Sequence, residues 1–183
     1  MAGLVSPGPA WHETDADGAV EQLYAAHWRS LVRLSYLLVR DQGTAEEVVQ
    51  DAFVAMHRRW GGLREPDKAL AYLRRAVVNG SRSRLRHLTV VRTHAERQPV
   101  PGAVRGADEA LLESARRESV LDALAALPRR QREVLALRYY VDLSEADIAE
   151  TLGISRGAVK SHASRGAASL RDALAHHLEA PRD

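Results

Sequence analysis

Apolar residues recur three and four positions apart along most of this chain, the spacing that gathers them on one side of a helix. The first run carries Val20, Leu23, Tyr24, His27, Leu31, Leu34 and Leu38, and ends near Arg40, ahead of Asp41-Gln42-Gly43. A second begins at Thr44-Ala45-Glu46-Glu47, which predicts a capping box: Thr44 accepts from the Glu47 amide and the Glu47 carboxylate reaches back. Its stripe is Val49, Ala52, Phe53, Met56 and Trp60, and Gly61-Gly62 stops it. A third opens at Pro66-Asp67, proline suiting a first helical turn, and runs through Leu70, Leu73, Val77 and Leu85 to about Leu88.

The pattern lapses between Thr89 and about Glu118. Pro99, Pro101, Gly102 and Gly106 crowd together there, predicting a linker with one short helix near Glu109–Arg117. Periodicity resumes with Val120, Leu121, Leu124 and Leu127, and Pro128 opens a helix through Val134, Leu135 and Leu137. The chain thus divides into a disordered lead-in over 1–16, a helical domain over 17–88, a linker over 89–118, a second helical domain over 119–174 and a frayed tail over 175–183. No repeat and no strand-like alternation interrupts this. The expected fold is all-α, two small helical domains joined by a flexible linker.

The most specific pattern is LSEADIAETLGISRGAVKSHASRGAASLR, Leu143 to Arg171. Ser144 and Asp147 start a short helix whose inner face is Ile148, Ala149 and Leu152. Gly153 stands where a chain leaves a helix in the left-handed region, Ile154 plugs the corner and Ser155 caps a second helix with Ala158 and Val159 inward. That combination specifies a helix-turn-helix. Its first helix holds Glu145, Asp147 and Glu150, whereas Thr151 to Arg171 holds no acid but four bases: Arg156, Lys160, Arg165 and Arg171. A second helix with a basic outer face suits the major groove, where Arg156, Lys160 and Ser161 would meet base edges or phosphates, and Arg165 phosphates. Gly157 and Gly166 each weaken this helix by roughly 0.5–1 kcal/mol relative to alanine, which packing or DNA must offset.

Composition removes several function classes. The 183 residues contain no cysteine, so disulfides, thiol catalysis and Cys-ligated zinc are excluded. No glycine-rich phosphate loop, His-Glu-x-x-His helix or nucleophile elbow is present, so neither an enzyme nor a cofactor is expected. No apolar run reaches membrane length, and Met1 to Ala10 lacks a signal-peptide pattern, which together predict a cytoplasmic chain without membrane insertion. The net charge is only +2, but it is unevenly spread. Ten arginines and lysines stand between Arg58 and Arg92 against Glu65 and Asp67, while Asp41 to Asp51 holds Asp41, Glu46, Glu47 and Asp51 and no lysine or arginine. Concentrated base of this kind fits a polyanion partner.

With both halves in view, the chain resembles the extracytoplasmic-function (ECF) sigma factors of the sigma-70 family. Three blocks carry the likeness in order: TAEEVVQDAF from Thr44, AYLRRAVVNGSRSRLRH from Ala71, and Leu127 to Leu170 around the helix-turn-helix. The resemblance implies that residues 17–88 are sigma domain two and residues 119–174 sigma domain four. It implies that Glu47, Gln50 and Asp51 dock on the clamp helices of the polymerase's largest subunit, while domain four meets the flap of the second-largest subunit. A polar, acidic face turned away from Val49, Ala52 and Phe53 suits a basic partner. It further implies that Asn79 lies by the pocket for a flipped minus-ten base, with Arg74, Arg75, Arg82, Arg84 and Arg86 on the DNA backbone. The helix-turn-helix, through Ser155, Arg156, Lys160, Ser161 and Arg165, would read the minus-thirty-five element. The expected partners are therefore core RNA polymerase and promoter DNA, and the family also pairs with anti-sigma factors. Three positions depart from the family pattern: Tyr72 where tryptophan is frequent, His162 where arginine is common, and Ala163 where a larger apolar residue is usual. The competing reading is a one-component repressor, dimeric on a palindrome; it leaves the basic Arg74–Arg86 helix and the Gln50-Asp51 face unexplained.

Overall fold

The computed structural model describes residues 16–60, 68–92 and 108–179, and the statements below concern these. Seven α-helices occur among them, with no strand. The lead-in, the stop at Gly61-Gly62, the opening at Pro66-Asp67 and the proline-glycine stretch from Pro99 to Gly106 lie outside the described residues.

Helices α1 (Ala16–Val39) and α2 (Gln42–Arg59) are joined by two residues, Arg40 and Asp41. Arg40 takes a left-handed φ of 60°, and Asp41 caps α2 by accepting from the Thr44 amide at 2.7 Å. The helix therefore starts at Gln42, two residues before the sequence-based expectation. An aspartate standing three residues ahead of the Thr44 amide is already a strong N-cap, so Thr44 need not serve as one and Glu47 is left for another partner. Helix α3 (Ala69–Arg92) crosses this pair. Leu31, Leu34 and Leu38 of α1, Val48, Val49, Ala52, Phe53 and Met56 of α2, and Leu73, Val77 and Val78 of α3 are all buried together. Ser35 and Ser81 are wholly buried among them, and their hydroxyls bond each other at 3.1 Å, which satisfies both.

Helix α4 (Asp108–Ala126) unites the short helix expected near Glu109–Arg117 with the run that carries Val120 to Leu124. Pro128 then lets α5 (Arg129–Leu135) start, and α5 widens into a π-helical turn, Ala136–Tyr140, closed by Val141 N–H to the Ala136 carbonyl at 3.2 Å. Helix α6 (Glu145–Leu152) and helix α7 (Arg156–Glu179) follow.

The helices on either side of the linker pack against one another. Val134, Ala136, Leu137, Ile148, Leu152, Val159 and Ala163 belong to the same buried cluster as the α1–α3 residues. A smaller cluster of Leu124, Leu127 and Leu135 is covered by Leu37 of α1 and Leu170 of α7. The physical reason is size. Helix α7 covers only part of the apolar faces of the short helices α5 and α6, and burial of the remainder against α1–α3 recovers roughly 25 cal/mol for each Å² covered.

Candidate nucleic-acid interface

The helix-turn-helix is built as its sequence requires. Ser144 accepts from the Asp147 amide at 3.2 Å and donates to the Asp147 carboxylate at 2.6 Å. At the end of α6, Gly153 has φ 64° and ψ 45°, its amide bonds the Glu150 carbonyl and the Ile154 amide bonds the Ala149 carbonyl at 3.0 Å. This paired closure needs a left-handed residue, hence the glycine. Ser155 accepts from the Ala158 amide at 3.1 Å and starts α7. Gly166 has a packing reason: a Cβ there would lie 3.1 Å from Gln131 and Leu135, so glycine lets α7 approach α5.

On the outer side of α7, Ser155, Arg156, Lys160 and Arg165 are exposed and Ser161 is half-buried. Arg165 folds back to donate to the Ser161 hydroxyl, and Lys160 lies 3.8 Å from Glu145. Both contacts are at the surface and contribute little, so these cations stay accessible from solvent. Of the departing positions, Ala163 is a buried core residue, Tyr72 packs half-buried against the core, and His162 is half-buried with Nδ1 unpaired.

On α3, Arg75, Asn79, Arg82 and Arg86 follow one another at spacings of four, three and four, which aligns them along one stripe. Arg75, Asn79 and Arg86 are exposed, and Arg82 Nη1 donates to Asn79 Oδ1 at 3.0 Å. The other two arginines leave this stripe. Arg74 sits in a cleft with Lys68, Tyr72, Arg75, Asp147 and Glu150, and burial pulls its pKa down while Asp147 opposes the shift. Arg84 turns to α2, where it lies 3.2 Å from Glu47 and 3.4 Å from Asp51. Sequence placed Arg84 with the nucleic-acid group; the fold places it with the acidic face.

That face holds Glu47, Gln50 and Asp51, all exposed on α2. Beside it runs a shallow groove between α2 and α3, floored by the small residues Ala52, Ala55, Ala76 and Gly80 and edged by Asp51, Arg84 and His87. Such a groove, apolar at its base and charged at its rim, can seat a helix.

Two family models match, one on each side of the linker: sigma-70 region 2 over residues 23–89 and sigma-70 region 4 over residues 117–170. The chain is 35% identical over 147 residues to the RNA polymerase sigma-E factor of Streptomyces avermitilis, covering 79% of each protein. It belongs to the extracytoplasmic-function sigma factors of the sigma-70 family.

A further relative is the ECF RNA polymerase sigma factor SigM of Mycobacterium tuberculosis, 34% identical over 158 residues, 86% of this chain and 78% of that one. The fold is similar to that of CnrH solved with the cytosolic domain of CnrY, with a TM-score of 0.63 and 27% identity over 88% of this chain and 95% of the other. It is also similar to the sigma factor RpoE of Bartonella quintana, solved with the anti-sigma factor NepR, with a TM-score of 0.68 and 22% identity over 84% and 95%.

This sigma factor carries polar residues whose roles the sequence did not disclose. Arg132 donates to the Leu38 carbonyl at 2.8 Å and to the Ala125 and Leu127 carbonyls, so one guanidinium holds the ends of α1 and α4 together. Arg40 reaches Glu118 at 3.0 Å and Asp122 at 2.7 Å. Glu133 is 2% exposed and pairs with Arg82. One hint was readable: Glu133 lies next to Val134 and four residues before Leu137, an acid beside an apolar stripe with Arg129 and Arg130 one turn ahead. No group of residues suited to a metal occurs among the described residues, and no described helix is long and apolar enough to cross a membrane.

Proposed function

We propose that this sigma factor docks on core RNA polymerase through Glu47, Gln50 and Asp51, which meet the clamp helices of the largest subunit, and recognises a promoter at two points. The stripe Arg75, Asn79, Arg82 and Arg86 on α3 takes the minus-ten element: Asn79 offers an amide to an extruded base edge and the arginines hold the backbone. The outer face of α7, with Ser155, Arg156, Lys160, Ser161 and Arg165, enters the major groove of the minus-thirty-five element. Arg74 and Arg84 join the backbone contacts once their present neighbours are displaced. Residues 17–88 and 119–174 are the two working units, and the second also meets the flap of the second-largest subunit. Linking two weak DNA contacts on one polymerase raises their effective concentration without any new contact.

The observation that carries this reading is the coexistence in one chain of two basic stripes on different helices, α3 and α7, with an exposed acidic face on α2 ahead of both in sequence. A dimeric repressor has no use for the α3 stripe or the α2 face, and neither family model nor the relatives named above support that reading. The protein works by binding, in the cytoplasm where polymerase is, and carries out no chemistry of its own. The two solved relatives were each captured with CnrY or NepR, which supports an anti-sigma partner for this chain as well.

The deciding experiment mixes the purified chain with bacterial core RNA polymerase, followed by gel filtration and run-off transcription on a promoter library. Co-elution with promoter-specific transcripts is expected. A chain that elutes alone as a dimer and shifts a palindrome without polymerase overturns the reading.

A further inference from the structure

Between α3 and α6 lies a cleft of about 380 Å³ whose two walls differ in chemistry. The α3 wall carries Lys68, Tyr72, Arg74 and Arg75, and the α6 wall carries Asp147 and Glu150. Three cations against two carboxylates leave one positive charge in excess. Lys68, Arg75, Asp147 and Glu150 are exposed, so the cleft opens to solvent, while Tyr72 and Arg74 are half-buried.

Arg74 is the unusual member. It makes no hydrogen bond or ion pair among the described residues. On its other side it lines a smaller apolar hollow with Leu31, Leu34 and Leu70. Burial lowers its pKa, and Asp147 across the cleft offsets the shift only in part. A guanidinium drawn from water without an anion beside it is destabilised, and an anion entering the cleft relieves that cost.

The opposite wall sets what else the anion must carry. Asp147 is engaged, accepting from the Ser144 hydroxyl at 2.6 Å. Glu150 is exposed and has no bonded partner among the described residues. A carboxylate only accepts, and ribose hydroxyls are donors that carboxylates hold in nucleotide-binding folds. Tyr72 offers a ring face to a planar base. A lone phosphate leaves Glu150 and Tyr72 unused, and a nucleoside without phosphate leaves Arg74 uncompensated. The volume falls within the range of small-ligand sites.

We propose that the α3–α6 cleft binds a mononucleotide, with its phosphate on Arg74 and Arg75, its ribose hydroxyls on Glu150 and its base stacked on Tyr72. The site is distinct from the outer face of α7 and from the acidic face of α2. It needs neither polymerase nor promoter, so it stands independently of the sigma reading.

Isothermal titration of the full chain with adenosine 5′-monophosphate (AMP) should show one saturable site per chain. Inorganic phosphate and adenosine, each using one part of the cleft, should bind at least about tenfold more weakly. Arg74→Gln should weaken AMP by about tenfold or more and leave adenosine unchanged, a split that a merely structural role would not give. Arg74→Lys, which keeps the charge but loses the two-pronged contact, should fall between. Tyr72→Leu should cost about fivefold. Glu150→Gln should cost about fivefold for AMP and nothing for its 2′,3′-dideoxy analogue. Far-UV circular dichroism checks each variant, and Arg75→Gln, at an exposed position, serves if Arg74→Gln does not fold. No saturable AMP binding up to about 1 mM overturns the site. Phosphate binding as tightly as AMP overturns the nucleotide assignment. AMP binding that both arginine variants leave unchanged lies elsewhere and overturns the cleft. Run-off transcription with core polymerase tests the sigma reading on its own, so neither failure is mistaken for the other.

Discussion

Replacing Asp51 by arginine separates docking from folding. The Asp51 side chain is 74% exposed and touches Arg84 at 3.4 Å, a long, solvated contact. Losing such a pair costs about 0.2–1 kcal/mol, and the new repulsion between two exposed cations is of the same order. For a chain of this size that lowers the melting temperature by about 2–4 °C per kcal/mol. At a docking face the arithmetic differs, because placing like charges against each other in an interface costs several kcal/mol. Taking about 3 kcal/mol gives a loss of more than a hundredfold in affinity for core polymerase. The assay is fluorescence anisotropy of labelled chain titrated with core RNA polymerase, beside a circular-dichroism melt. Glu21→Arg, the same charge change on an exposed position of α1, is the control and should bind like wild type. If Asp51→Arg binds within about threefold of wild type, a difference below about 0.7 kcal/mol, the α2 face is not the docking surface. If the melt collapses, the residue belongs to the packing and not to the surface.

Arg156→Ala should weaken upstream promoter recognition, lower the dependence of DNA affinity on log salt by about one unit per lost phosphate contact, and leave polymerase binding intact; identical transcripts from every promoter would refute the groove assignment. Gly166→Val should destabilise by about 1–3 kcal/mol in a denaturant melt, because its side chain enters the 3.1 Å space against Gln131 and Leu135. Gly153→Val should cost more than Gly153→Asn, since φ is 64° there and asparagine tolerates the left-handed region. The Asp41 carboxyl is held below its ordinary value by its hydrogen bonds to Thr44. Its capping contribution is therefore complete above the ordinary aspartate range and fades as pH falls through the lowered value. Asp41→Asn, also a good cap, should remove that part of the acid-side loss while leaving the neutral-pH melt nearly unchanged.

The local parts of this molecule were legible because local rules decide them. Leu31, Leu34 and Leu38, then Ile148, Leu152 and Val159, were read as inward from their spacing and are buried. Gly153 and Ser155 were read as turn and cap from residue type alone, and both serve so. The start of α2 was misplaced by two residues because two capping residues compete there, and backbone geometry at Arg40 chose Asp41. That Arg84 lies beside Glu47 and Asp51 was not legible, because spacing fixes a helix face but not what lies opposite it.

By itself, then, the sequence determined the helices, the helix-turn-helix and two basic stripes, since each depends on residues within a few turns of one another. Only the tertiary structure decided that the two halves share one core, that Arg132 ties α1 to α4, and that Arg82 meets Glu133, fifty-one residues away. Contacts between such distant residues are set by which uncovered faces fit together. The period of apolar positions along one helix carries no information about the face that another helix will present to it.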